Sequence, residues 1–146
     1  MSTLCKALAR LGVSVTVYTT DASGSSVPLD VPLGRAVMVS GVQVFYFRST
    51  FGSPSMFDSR DLRRTLKKTV HAFDVVYIAA WFMWLGITAA AICRGAKVPV
   101  IAGTHGGFTD VAMKKSRLVK KLFRELFLKR AFRNVAAFHV TSTMEK

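Results

Sequence analysis

Acidic side chains are scarce in this sequence. Eight aspartates and glutamates stand against 21 lysines and arginines, a net charge of +13 over 146 residues. The imbalance turns the chain away from cationic partners and toward anionic ones: nucleic acid, acidic lipid head groups or phosphorylated substrates. Glutamate is especially rare, present only as Glu125 and Glu145. Cysteine is nearly absent too. Cys5 and Cys93 lie far apart in apolar contexts with no Cys-x-x-Cys pair, which fits a reducing compartment and two buried thiols better than a disulfide framework. No Gly-x-Ser-x-Gly elbow, Walker loop or Gly-x-Gly-x-x-Gly fingerprint occurs. A hydrolase elbow, a P-loop and a dinucleotide-binding turn therefore have no support. The N-terminal residues, interrupted by Lys6 and Arg10, hold no apolar stretch long enough for a signal peptide. Apolar residues are not lacking: they make up 51% of the chain, enough for one domain with a real core.

Charge is missing altogether from Val75 to Cys93, between Asp74 and Arg94. Length alone would nominate this run as a transmembrane helix. Its β-branched start, Val75-Val76-Tyr77-Ile78, reads instead as a buried strand. Trp81, Phe82 and Trp84 stand in the middle, where a membrane belt would place aromatics at the ends. The run is read as a strand leading into a buried helix, with a spanning helix as the alternative.

Residues 3 to 11 have helical spacing and Gly12 at the cap position. Val13 to Tyr18 alternates as a strand, ended by Thr19-Thr20-Asp21. Residues 22 to 35 are loop. Val37 to Val39 and Val42 to Phe47 are strands separated by a tight turn at Ser40-Gly41. Asp58 or Ser59 caps a helix reaching about Ala72, with Leu62, Leu66, Thr69 and Val70 inward. Phe73 to Ala79 is a strand. Phe82 to Arg94 is a helix stopped by Gly95, and Val98 to Ala102 a further strand. A long helix runs from about Ala112 to Arg133 and a strand from Ala136 to Val140. Ser142 to Glu145 forms a capping box. Alternation of this kind predicts an α/β fold, a parallel sheet with helices on both faces.

Two regions can carry chemistry. In Val98-Pro99-Val100-Ile101-Ala102-Gly103-Thr104-His105-Gly106-Gly107 a buried strand stops and delivers a histidine followed by two glycines. Ligands of open α/β sheets sit beyond the carboxyl ends of the strands. His105 there could serve as general base, hydrogen-bond donor or phosphate contact, while the glycines permit close backbone approach. A plain strand and tight turn with an exposed histidine is the competing reading. No second His or Cys lies at ligand spacing, so no metal is expected. His71 falls in a charged helix and is read as solvated; His139 falls in a strand and is read as a core histidine with its hydrogen bonds satisfied.

The second region is the long helix. Lys114, Lys115, Arg117, Lys120, Lys121, Arg124, Lys129, Arg130 and Arg133 face only Glu125, a net +8. Such a helix can lie against an anionic membrane, each nearby cation contributing about 1 kcal/mol. It can equally be a solvated outer face. Nucleic acid ranks below membrane, because no RNA-recognition or zinc-finger signature is present.

Several segments share an order with a known family. Ala7-Leu8-Ala9-Arg10-Leu11-Gly12-Val13-Ser14-Val15-Thr16-Val17-Tyr18-Thr19-Thr20 resembles the first helix and second strand of family 4 glycosyltransferases. Val31-Pro32-Leu33-Gly34 and Gly41-Val42-Gln43-Val44 follow in that family's order. Thr104-His105-Gly106 is similar to its Pro-His-Gly turn. Arg117-Leu118-Val119-Lys120-Lys121-Leu122-Phe123 and Ala136-Ala137-Phe138-His139-Val140-Thr141-Ser142-Thr143-Met144-Glu145 resemble its basic helix and following strand.

The resemblance implies one Rossmann-like half of a GT-B fold, the acceptor side of a hexosyl transfer in polysaccharide or lipid-linked glycan synthesis. His105 would be catalytic, with Thr104, Gly106, Gly107 and Trp81 against the acceptor. Lys114, Lys115, Arg117, Lys120, Lys121 and Arg124 would contact a membrane or another anion. The donor would be a nucleotide-sugar held by another domain, and this chain would bind no cofactor itself. Its partners would be the C-terminal domain or a complementary chain, a glycan or lipid-linked acceptor, and an anionic membrane surface. Its place would be the cytoplasm, peripheral to the inner membrane face.

The departures shape the expectation. Met1 stands inside the family's first helix, so the first strand and its glycine loop are not represented. No Glu-x7-Glu signature of the second domain exists, and Thr104 replaces a proline. Residues 1–146 are therefore expected to form an incomplete N-terminal domain, inactive in isolation. The rival from another class is a non-enzymatic basic module that binds anionic membranes or nucleic acid.

Overall fold

The computed structural model describes residues 3–23, 27–50, 58–79, 83–103 and 135–140. The chain divides into two compact units, residues 1–62 and 63–146, and each holds one three-stranded sheet.

In the first unit, helix α1 (Thr3–Arg10) ends as its glycine predicts. Gly12 takes φ +83°, and two bonds close the end: Gly12 N–H to Ala9 O at 3.1 Å and Val13 N–H to Leu8 O at 3.1 Å. This is the Schellman arrangement, which satisfies carbonyls the helix leaves open. It also occupies Val13, so strand β1 starts later than the alternation predicts, at Thr16–Thr20. Strands β2 (Ala36–Val39) and β3 (Val42–Phe47) follow. Ser40 at φ 52° and Gly41 at φ 77° join them, a two-residue turn whose twist suits a hairpin.

The sheet order is β1-β3-β2. β3 runs parallel to β1, in register from Thr16 opposite Gln43 to Thr20 opposite Phe47. β2 runs antiparallel to β3, a departure from an all-parallel sheet that the tight turn imposes. The core of this unit lies along β3, where Val42, Val44 and Phe47 are buried. Burying each such side chain stabilises by about 1.5–3 kcal/mol. α1 packs against β3 and has no fully buried residue.

Helix α2 (Arg60–Thr69) starts where expected. The Ser59 hydroxyl accepts the Leu62 N–H at 3.3 Å, an N-cap bond to the third helical residue. Leu62, Leu66 and Val70 are its buried stripe, while Arg60, Arg64, Lys67 and Lys68 are exposed. A 3-10 turn, Val70–Ala72, closes with Phe73 N–H on Val70 O at 3.2 Å. Phe73 is thereby removed from the next strand, and β4 is short, Val76–Ile78.

The uncharged run splits as expected into β4 and helix α3 (Trp84–Gly95). At 12 residues α3 is about 18 Å long, well short of a bilayer core. Among the described residues no helix is long and apolar enough to cross a membrane. α3 buries Gly86, Ile87, Ala89, Ala90 and Cys93 and packs against β4.

Its end differs from the expectation. Gly95 stays helical, and the left-handed residue is Lys97 at φ 60°. Lys97 N–H bonds Arg94 O at 3.1 Å and Val98 N–H bonds Cys93 O at 3.0 Å, the same cap that closes α1. β5 consequently begins at Val100 and runs to Gly103. β6 is Val135–His139. The order β4-β5-β6 is parallel throughout, with Val100 and Ala102 buried in its centre. The helix expected over 112–133 and the capping box at 142–145 lie outside the described residues.

Candidate functional site at the carboxyl edge of the second sheet

Three strands of the second sheet end together. β4 finishes at Ile78, β5 at Gly103 and β6 at His139, and Gly103 pairs directly with His139. In a parallel sheet this is the edge where ligands bind. Gly103 is buried and stands two residues before His105 in the chain. His105 itself, with Thr104, Gly106, Gly107 and Trp81, lies outside the described residues. So do Lys114, Lys115, Arg117, Lys120, Lys121 and Arg124.

The described part of the edge holds a polar pair absent from the sequence-based candidates. Tyr77 Oη and His139 Nδ1 are 2.9 Å apart, with ring centroids at 5.8 Å and planes inclined by 58°. Tyr77 pairs with Ile101, and Ile101 shares a face with Gly103 and hence with its partner His139. The pair therefore reaches over the central strand, on the face where position 103 carries no side chain. His139 is a strand residue with a hydrogen bond, as the sequence suggested. It is exposed rather than in the core.

β6 is exposed along both faces, Phe138 on the opposite one included, and a register shift sets which face His139 takes. Val100 pairs with Val135, but Ile101 pairs with Ala137, so β6 carries one extra residue at Ala136. Had the Val100–Val135 register continued without the bulge, Phe138 would stand opposite Gly103 and His139 would point to the other face. Bulges re-aim side chains in this way, and no periodicity in a five-residue strand announces one.

The carboxyl edge of the first sheet is built differently. Asp21, directly after β1, is 3% exposed. Its carboxylate accepts the Ser49 N–H at 2.7 Å. Its own N–H bonds Phe47 O at 2.9 Å, and its carbonyl accepts the Leu29 N–H at 2.7 Å. Three segments are thus tied by one residue, which is a structural use of a buried carboxylate. The buried Ser49 hydroxyl has no hydrogen-bond partner among the described residues.

Elsewhere, a cavity of about 250 Å³ lies beside the amino end of β5, lined in part by Arg94, Lys97 and Pro99. It is at the wrong end of the strands for a ligand site of this architecture. Among the described residues no three His, Cys, Asp or Glu side chains gather as a metal site would require.

Helices alternating with parallel strands, and polar groups collected at the strands' carboxyl ends, define a protein of the Rossmann-like α/β class. Within that class the chain matches the model of the glycosyl transferase 4-like domain over residues 1–146. It belongs to that family. Neither the curated proteins nor the solved structures yield a match.

Proposed function

We propose that this chain is the acceptor-side domain of a glycosyltransferase that moves a hexosyl group from a nucleotide-sugar to a glycan or lipid-linked acceptor. The observation that carries the reading is the family match along the entire chain. It is supported by a parallel strand ending at Gly103 that leads straight into Thr104-His105-Gly106-Gly107. In this reading His105 stands beside the reacting sugar and the acceptor hydroxyl, with Thr104, Gly106, Gly107 and Trp81 shaping the acceptor pocket.

The donor's diphosphate belongs to a partner domain or chain. Basic side chains and backbone N–H groups there stabilise the departing anion electrostatically. No metal and no resident cofactor is required of this domain. The expected place of action is the cytoplasmic face of a membrane, with Lys114, Lys115, Arg117, Lys120, Lys121 and Arg124 toward anionic lipid; nucleic acid is not an expected partner.

The test pairs the chain with a donor-binding domain and measures sugar transfer from common nucleotide-sugars. His105→Ala is expected to lower turnover by about 10²–10⁴-fold, the usual span for a proton-transfer or hydrogen-bonding group. Unchanged turnover would remove His105 from the mechanism. A folded complex that transfers nothing from any donor would count against the whole assignment.

A further inference from the structure

Tyr77 and His139 are separated by 62 positions in the chain and meet at 2.9 Å. Two independent features bring them together. The extra residue in β6 turns His139 onto the face that Tyr77 occupies, and the middle strand presents Gly103 between them instead of a side chain. The pair lies at the carboxyl edge rather than in the core: His139 is exposed and Tyr77 half-buried. A bulge and a glycine that together hold two polar aromatics at a ligand-facing edge suggest more than a tether.

We propose that Tyr77 and His139 form a hydroxyl-binding subsite for a neutral sugar ring of the acceptor. The chemistry follows from the groups. A phenol and an imidazole each both donate and accept hydrogen bonds, matching vicinal hydroxyls that do the same. Their ring faces offer apolar surface to the C–H side of a sugar. The other described strand positions on that face, Ile101, Gly103 and Ala137, carry no charge, which suits a neutral hydroxylated ligand. The hydrogen bond between the two rings holds each in place before the ligand arrives, which lowers the ordering cost of binding. Both residues are binding residues here; the reacting centre remains with His105, and the subsite rests on the acceptor-side reading.

The experiment titrates the full chain with methyl glycosides of glucose, mannose, galactose and N-acetylglucosamine, and separately with inorganic pyrophosphate. The His139 ring ¹⁵N resonances are followed by NMR. Glycosides are expected to move them, and Tyr77→Phe, which keeps the ring, is expected to weaken binding about threefold to tenfold, the worth of one neutral hydrogen bond. Melting curves of Tyr77→Phe and His139→Asn identify any variant that fails to fold; in that event the wild-type ¹⁵N shifts alone decide. Unmoved His139 resonances with every glycoside would overturn the subsite, and so would a response to pyrophosphate alone.

Transfer by the complete enzyme gives the separation from the broader assignment. A raised acceptor KM with unchanged kcat in Tyr77→Phe supports the subsite. Transfer indifferent to Tyr77→Phe overturns the subsite and leaves the transferase standing. Glycoside binding at the pair in a chain that supports no transfer does the reverse.

Discussion

Cys93 shows how burial alone sets the chemistry of a side chain. It is 0% exposed, and burial pushes its thiol up from the ordinary 9.0 to about 11, with a backbone hydrogen bond pulling weakly the other way. Since the thiolate is the reactive form, Cys93 is expected to resist Ellman's reagent at pH 8 in the folded chain. Half-buried Cys5 should react first, and denaturant should release the second equivalent. Two fast equivalents from the native protein would contradict the burial. The pH dependence has a definite sign. The folded chain keeps the thiol proton to higher pH than the unfolded chain, so the contribution to stability is complete below about 9 and is lost as pH rises to about 11. Cys93→Ala should remove that slope from a plot of unfolding free energy against pH. The histidines teach a related lesson. His139 could be placed on a strand from its neighbours, but its face depends on one extra residue in β6, and a one-residue slip reverses every side chain of a strand.

At the scale of elements, three strands begin later than their apolar runs do, and the cause is the same each time. Val13, Phe73 and Val98 are each taken by a hydrogen bond that closes the preceding helix or 3-10 turn. The end of α2 with its 3-10 turn at Ala72 was legible without a glycine, and glycines mark or flank the other two helix ends. Gly12 does so for α1; for α3 the nearby Gly95 misleads, because the cap falls two residues on, at Lys97. A lysine at φ 60° is strained, since an L-residue in the left-handed region costs about 1–2 kcal/mol. Lys97→Gly relieves the strain but gives the unfolded chain more freedom. The net expectation is a gain of about 0.5–1 kcal/mol, read from a urea midpoint. Gly95 sits within the helix with open space where a methyl group would project, so Gly95→Ala should add a similar amount. A loss of stability in Lys97→Gly would show that its side chain makes contacts worth more than the strain.

For the molecule as a whole the dominant quantity is charge. The segment from Ala112 to Arg133 holds nine basic residues and one acidic, a net +8 of the total +13. On the membrane-facing reading, the chain should co-sediment with vesicles containing phosphatidylserine and not with neutral phosphatidylcholine vesicles. Binding should weaken steeply as salt shortens the screening length from about 10 Å at 0.1 M to about 3 Å at 1 M. Reversing Lys120 and Lys121 to glutamate should abolish it. Binding that ignores salt would rule out a charge-driven contact. The pull-down needs no partner domain, so it stands apart from any test of sugar transfer.

Among the described residues, local chemistry in the chain was enough for the kinds of element and their order. β-branched alternation, helical apolar spacing, the Ser59 cap and the Ser40-Gly41 turn all act within a few residues of one another, and so does the splitting of the uncharged run into β4 and α3. The same short range applies to the ordered segments through which the chain resembles family 4 glycosyltransferases, and the family match along residues 1–146 agrees with that resemblance. Folding decided what depends on partners distant in the chain: the residue at which each strand starts, and the left-handed lysine after α3. It also decided the antiparallel placement of β2, the Asp21 tie to Ser49, and the meeting of Tyr77 with His139. Each of these is set by register or by competition for a backbone hydrogen bond, and neither leaves a periodic trace in the residues themselves.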